Sequence, residues 1–279
     1  MGKGLSTKFD HIAIGMARMA DATGVLVGRL GGIPDSGGPG GGFRWAAWSY
    51  EGGGSIEVIE PAGDDGFLHR FLESRGPGLH HVTFKVSSLA EAAARAEAQG
   101  YGLVGRDESD PDWLVAYFHP KEALGIVVQL GQSGGRYGRR PHEVPAGPPS
   151  PPPPVRVLGL RSRVQSAERA RLQWERALGG VVAHATDREL VFRWPGSPMR
   201  IVAEIARDAD EGPLGIDLAP GGDVALPDGL VEPLGTVFRV DGRTARSQLL
   251  HLRVNHFRAH LVVLLWLNRY RFALHDGWE

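Results

Sequence analysis

No cysteine occurs among the 279 residues, which excludes a disulfide framework, a thiolate nucleophile and a cysteine-ligated metal site. Any metal would have to be held by His, Asp, Glu or Gln. Charge of one sign is missing too. The formal net charge is −1, with 23% charged and 42% hydrophobic residues, so no general field draws the chain to nucleic acid or to a membrane surface. No stretch approaches the roughly 18 apolar residues of a membrane span, and the first residues lack the apolar core of a secretion signal. The glycine-rich segments "GGIPDSGGPGGGFRW" and "EGGGS" have neither the lysine nor the strand–turn–helix setting of a phosphate-binding loop, and no nucleophile elbow occurs. They read as flexible loops, the first as a lid. These absences leave a cytoplasmic globular protein acting on a small-molecule substrate, with no nucleic acid or membrane partner and with a homodimer left open.

The length suits two modest domains, because single cores stop growing well before chains become this long. The boundary is "GGRYGRRPHEVPAGPPSPPPPVR", residues 134–156, where a proline run must stay extended and cannot donate to a sheet. The organisation expected is therefore a domain over 1–133, a linker over 134–156, a second domain over 157–240 and a basic, partly apolar tail over 241–279.

The first region repeats itself in element order. A strand "FDHIAIGM" (9–16), a helix "ADATGVLVGRLGG" (20–32) and strands "FRWAAWSY" and "GSIEVIEP" (43–50, 54–61) are followed by the same series. The second copy is "LHHVTFKV" (79–86), "SLAEAAARAEAQG" (88–100), "WLVAYFHP" and "LGIVVQLG" (113–120, 124–131). Two βαβββ modules that each expose one apolar sheet face must pair, and a single cupped sheet around a pseudo-twofold axis is the economical solution. The fold class expected is α+β.

Four polar side chains occupy matching places in the repeat. His11 and His81 are each the third residue of a first strand, and Glu57 and Gln129 interrupt apolar last strands. Burying such groups is costly unless they are paired or bound to an ion. Two imidazoles, a carboxylate and an amide oxygen make an open site for one divalent ion. In the doublet "GLHHVTFKV", alternation lets only one ring face the cup, and the repeat nominates His81 and turns His80 away.

The segments "DHIAIGM", "SIEVIEPAGDDGFLHRFLESRGPGLHHVTFKV" and "FHPKEALGIVVQL" resemble the vicinal oxygen chelate superfamily, nearest to methylmalonyl-CoA epimerase and glyoxalase-like proteins. The resemblance spans Phe9 to Gln132. It implies the glyoxalase/bleomycin-resistance fold and one divalent ion (Co, Zn, Mn, Ni or Fe) held at His11, Glu57, His81 and Gln129. It also implies an isomerase, epimerase or lyase that removes a proton beside the carbonyl of a small carbonyl or acyl-CoA substrate. Gln129 stands where the family usually has a glutamate base, and an amide cannot take a proton. Glu57 is then the expected catalytic base. Lys121 and His119 of the "HPK" turn and Trp113 are the expected substrate-binding residues. Two alternatives accompany this reading: a non-catalytic binding protein of the sequestering kind, and an Fe(II)-dependent dioxygenase of the same superfamily.

In the second region, "VLGLRSRV", "SAERARLQWERALGG", "ELVFRWPG" and "MRIVAEIA" again run strand, helix, strand, strand, and "GPLGIDLA" resembles the double-histidine strand. Gly159 and Gly215 fall where His11 and His81 would be, so a degenerate, metal-free βαβββ-type domain is expected. His251, His256 and His260 in the tail have helical spacing but no acidic companion, and read as coincidence.

Overall fold

The computed structural model describes residues 5–134, 143–221 and 226–241. Two strands whose alternation is plain in the sequence form the middle of the first sheet. β1 (Thr7–Gly15) and β5 (Gly78–Val86) lie antiparallel at the centre of the first sheet, and each is flanked by a parallel partner. β4 (Ser55–Pro61) pairs with β1, and β8 (Val127–Ser133) pairs with β5. Outside them come β3 (Phe43–Ser49) and β2 (Ile33–Gly40) on one side, and β7 (Trp113–Phe118) and β6 (Leu103–Asp107) on the other. The order is β2-β3-β4-β1-β5-β8-β7-β6, a mixed sheet with the pseudo-twofold axis between β1 and β5.

The helices are shorter than the pattern implied. α1 is a single turn, Thr23–Leu26, preceded by a tighter turn at Met19–Ala22. α2 (Phe67–Arg75) leads into β5. α3 (Leu89–Glu97) is capped by Ser88, whose hydroxyl accepts from the Glu91 amide, as a serine before an alanine-rich run should.

The lid expected from the glycine-rich segment 31–45 is not there, because residues 33–40 are the edge strand β2. Glycines and prolines disfavour strands in general, but an edge position needs hydrogen bonds on one side only. β2 pairs with β3 alone.

The second sheet repeats the topology. β9 (Arg156–Val164), β10 (Val181–Ala185), β11 (Glu189–Arg193), β12 (Arg200–Ile205), β13 (Gly212–Ala219), β14 (Gly229–Val231) and β15 (Thr236–Val240) run in the order β10-β11-β12-β9-β13-β15-β14. Strand for strand this is the first sheet without, among the described residues, a counterpart of β6. Between β9 and β10, α4 (Ala167–Ala170) continues as a wider helix over Arg171–Ala177.

Alternation gives each sheet one apolar face, and the two faces share a core. Phe9, Ile12, Ile14, Ile56, Val82, Phe84 and Val128 are fully buried. Phe84 packs on Trp194, with ring centroids 4.7 Å apart, and on Trp174 at 6.1 Å. Ser197 Oγ donates to the Phe9 carbonyl at 2.7 Å, and Arg95 Nε to the Ala177 carbonyl at 2.9 Å. The described part of the proline-rich segment lies against the first module: the Val155 amide donates to the Leu30 carbonyl at 3.0 Å. The segment 135–142 and the tail from 242, including His251, His256 and His260, lie outside the described residues.

Candidate metal centre

The opposite face of the first sheet carries the polar residues. Cross-strand pairing sets His11 beside Thr83, Thr83 beside Gln129 and Gln129 beside Tyr117, one row over β1, β5, β8 and β7. The adjoining row runs from Glu57 through Ala13 to His81. Paired residues share a face, so four strands deliver the four expected residues to one side. All four are buried.

One carboxylate oxygen joins the two imidazoles. Glu57 Oε1 lies 3.6 Å from His11 Nε2 and 3.7 Å from His81 Nε2. One ligand atom from each of the three residues falls within 4.8 Å of the others. His11 Nε2 is buried without a hydrogen-bond partner among the described residues, and a buried nitrogen lone pair left open in this way asks for a Lewis acid. Two imidazole nitrogens and a carboxylate fit a borderline divalent ion with positions left for water or substrate.

Gln129 is differently engaged. Its Oε1 accepts from Thr83 Oγ1 at 2.7 Å, and its Nε2 donates to the Tyr117 hydroxyl at 3.0 Å. Both ends of the amide are therefore held, which orients the side chain but occupies one acceptor site of its oxygen.

Sequence reasoning missed the neighbours that hold the rings. Asp10 Oδ2 lies 3.0 Å from His11 Nδ1, and Lys85 Nζ lies 3.2 Å from the other oxygen of Asp10. His80 was expected to turn away from the cup, yet its Nδ1 sits 2.9 Å from Nδ1 of His81. Its ring leans on Phe71 and Phe67 of α2, at centroid distances of 4.8 and 5.5 Å. Alternation failed at this point because the β1–β5 register shifts there. Only the charged residue before His11 and the doubled histidine hinted at such partners in the sequence.

The electrostatics follow from burial and from these contacts. Burial disfavours a charged ring at His11, but Glu57 and Asp10 outweigh it and raise its pKa above the ordinary imidazole value. Burial pushes the Glu57 carboxyl up against the pull of His11. Burial, with His80 and His11 adding to it, holds His81 well below the usual range, and burial beside Arg75 brings His80 down to about 4. Burial works against ionisation of Asp10, yet His11 and Lys85 draw it down to about 2.

The expected substrate-binding residues separate. Trp113 packs over Gly131 on the cup side, and Lys85 Nζ stands 5.7 Å from its ring centroid. His119 Nδ1 accepts from the Lys121 amide at 3.2 Å. Lys121 lines a different cavity, of about 270 Å³, with Gln99, Tyr101 and Arg169.

Residues 10–117 match the sequence model of the Glyoxalase/Bleomycin resistance protein/Dioxygenase superfamily. The first module is similar to that superfamily over these residues. The uncharacterized protein YqjC of Bacillus subtilis (strain 168) is 32% identical over 91 residues, which cover 32% of this chain and 65% of that relative. Among solved structures, methylmalonyl-CoA epimerase from Mycobacterium tuberculosis is 26% identical over 45% of this chain and 87% of its own, with a TM-score of 0.42. A mutant of 4-hydroxymandelate synthase from Streptomyces coelicolor is 12% identical and covers 77% of this chain and 71% of its own, with a TM-score of 0.53. That last likeness is one of fold, and it reaches beyond the first module.

The second sheet repeats the strand order of the first with a different set of residues at the corresponding places. Gly159 pairs with Asp217 and Arg161 with Gly215, as His11 pairs with Thr83 and Ala13 with His81. Gly159 and Gly215 thus stand at the two histidine places. Val202 stands at the place of Glu57 and Arg239 at that of Gln129. A guanidinium supplies the positive charge instead: Arg161 binds both oxygens of Asp217, at 3.0 and 2.9 Å, and reaches Glu189 at 2.9 Å and Glu204 at 3.0 Å.

Proposed function

We propose that the first module holds one divalent ion (Co, Zn, Mn, Ni or Fe) at His11, Glu57 and His81, with Gln129 beside them as a fourth ligand place. The protein is then a metal-dependent isomerase, epimerase or lyase acting on a small carbonyl or acyl-CoA substrate. The observation that carries this reading is the approach of two Nε2 atoms to one Glu57 oxygen at 3.6 and 3.7 Å. When bound, the ion would polarise a substrate carbonyl and stabilise the enolate left by proton removal.

The chain's own residues supply the rest. Glu57 takes the proton, and its pKa, raised by burial, suits a carboxylate that must both accept and return one. Gln129 cannot accept a proton, so proton transfer in this reading is one-sided and favours isomerisation over two-base epimerisation. Trp113 walls one end of the cup, with Lys85 set between its ring and Asp10. His119 stands at the turn after β7 as a further candidate contact for the substrate, whereas Lys121 lines the separate cavity beside Tyr101 and Arg169. The proposed organisation is a metal-binding domain over 1–133, a linker over 134–156, a metal-free domain over 157–240 and a tail over 241–279, in a cytoplasmic protein. No helix among the described residues is long and apolar enough to cross a membrane.

A second reading is favoured by the engagement of Gln129 at both amide ends. Without it, two histidines and one carboxylate remain, the donor set of an Fe(II) dioxygenase; a non-catalytic binding protein would need no base at all. Metal content and solvent-deuterium incorporation into a model acyl-CoA thioester test the three together. Stoichiometric metal with exchange supports the isomerase, oxygen uptake with Fe(II) supports the dioxygenase, and metal with neither supports the binding protein. Absence of stoichiometric metal would remove the site.

A further inference from the structure

The residues that precede the two cup histidines both sit at irregularities of the β1–β5 ladder. Phe9 pairs with Phe84 but His11 with Thr83, which leaves Asp10 as an extra residue; Ala13 pairs with His81 but Ile14 with Leu79, which leaves His80 as another. An extra residue interrupts strand alternation, so its side chain can share the face of its neighbour. Asp10 thereby reaches Nδ1 of His11 at 3.0 Å, and His80 reaches Nδ1 of His81 at 2.9 Å. In both rings the far nitrogen, Nε2, is the one turned to Glu57.

We infer that Asp10 and His80 are paired positioning residues, each engaging Nδ1 of the histidine that follows it so that Nε2 is presented to the ion. This rests on the metal-site reading above. A carboxylate only accepts hydrogen bonds, so Nδ1 of His11 carries the proton. Two Nδ1 atoms 2.9 Å apart share one proton. Once Nε2 of His81 serves as a ligand, that proton belongs to His81 and His80 accepts it. The His80 ring is wedged against Phe67 and Phe71, which fixes its acceptor. Asp10, being anionic, makes His11 the stronger ligand of the two.

The second sheet is an internal control. Its β9–β13 register has the same two irregularities, which leave Leu158 and Leu214 as the extra residues. Leu158 and Gly159 stand where Asp10 and His11 stand, and Leu214 and Gly215 where His80 and His81 stand. The irregular ladder therefore forms without polar residues at those places. Where the ligand histidines are absent, the orienting residues are absent with them.

The test compares Asp10→Leu, His80→Leu and His80→Asn with wild type. Each leucine is the residue the second sheet tolerates at the same place, and asparagine keeps an acceptor near Nδ1. Co(II) affinity, read from its visible spectrum under competition with a chelator, should fall by about 10–100-fold in the leucine variants, the usual cost of losing an orienting partner. Asp10→Leu should be the weaker binder, and His80→Asn should recover most of the loss. Nitrogen-15 NMR of the metal-free wild-type protein provides a reading independent of metal: a proton shared between Nδ1 of His80 and Nδ1 of His81 is expected. Leucine variants that fold with wild-type melting and bind Co(II) within about threefold of wild type would overturn the inference, as would NMR showing no shared proton. Should the leucine variants fail to fold, the NMR result decides. Wild type that binds no Co(II) but keeps the shared proton would sink the metal site and leave the ring pairing standing.

Discussion

Glu57 Oε1 lies 3.6 Å from Nε2 of His11, close enough for one charge to bias the other and too far for a strong hydrogen bond. In the proposed reaction Glu57 is both ligand and base. Glu57→Gln should keep the shape and one oxygen ligand, binding the ion more weakly, while removing the proton acceptor. Measured with the ion at saturating concentration and its occupancy checked by elemental analysis, deuterium exchange into the thioester should drop by at least about 100-fold; unaltered exchange would reassign the base.

The raised pKa of His11 sets the pH dependence of metal loading. A ligand imidazole must be neutral, so the ion competes with the proton on His11. Affinity should weaken as pH falls through that raised value and level off above it, with about one proton released per ion. Asp10→Asn removes one source of the raised pKa and should move the onset to lower pH. Isothermal titration in buffers of different ionisation enthalpy reads both quantities.

Gln129 is held by Thr83 and Tyr117. Gln129→Glu would restore a carboxylate in that hydrogen-bonded cradle, tightening metal binding and adding a second proton acceptor. Exchange at both faces of a chiral thioester, followed by loss of optical activity, is the expected outcome; exchange confined to one face would show that Glu57 alone moves protons.

In the second sheet, Arg161→Leu leaves Asp217, Glu189 and Glu204 without their shared cation. Asp217 keeps Arg200 and Glu204 keeps Arg239, so the loss should stay below the about 3–5 kcal/mol of an uncompensated buried charge, with a measurable fall in the denaturant midpoint. First-module metal content should not change.

Phe84→Ala tests whether the two sheets unfold together. Its ring packs near Trp194, just after β11, and Trp174, in the helix between β9 and β10, and deleting a buried phenylalanine costs about 3–5 kcal/mol. Tryptophan fluorescence and circular dichroism should show one shared transition shifted to lower denaturant. Two separated transitions in wild type would count against a common core.

Strand alternation and the internal repeat were enough to place His11, Glu57, His81 and Gln129 on one face, and to predict glycine at the histidine places of the second sheet. Those are statements about period and order, and both are written in the chain. The edge strand β2 was not legible, because an edge position forgives the glycines and prolines that argue against a strand. The partners of the site were not legible either. A register shift depends on how two strands far apart in sequence settle against each other, and the shifts at Asp10 and His80 are what turn those side chains toward the ligands. The same holds for Gln129, whose hydrogen bonds come from β5 and β7. Sequence alone determined which residues share the cup; tertiary pairing decided which way each ring and amide is held, because orientation is set by neighbours across strands and not along them.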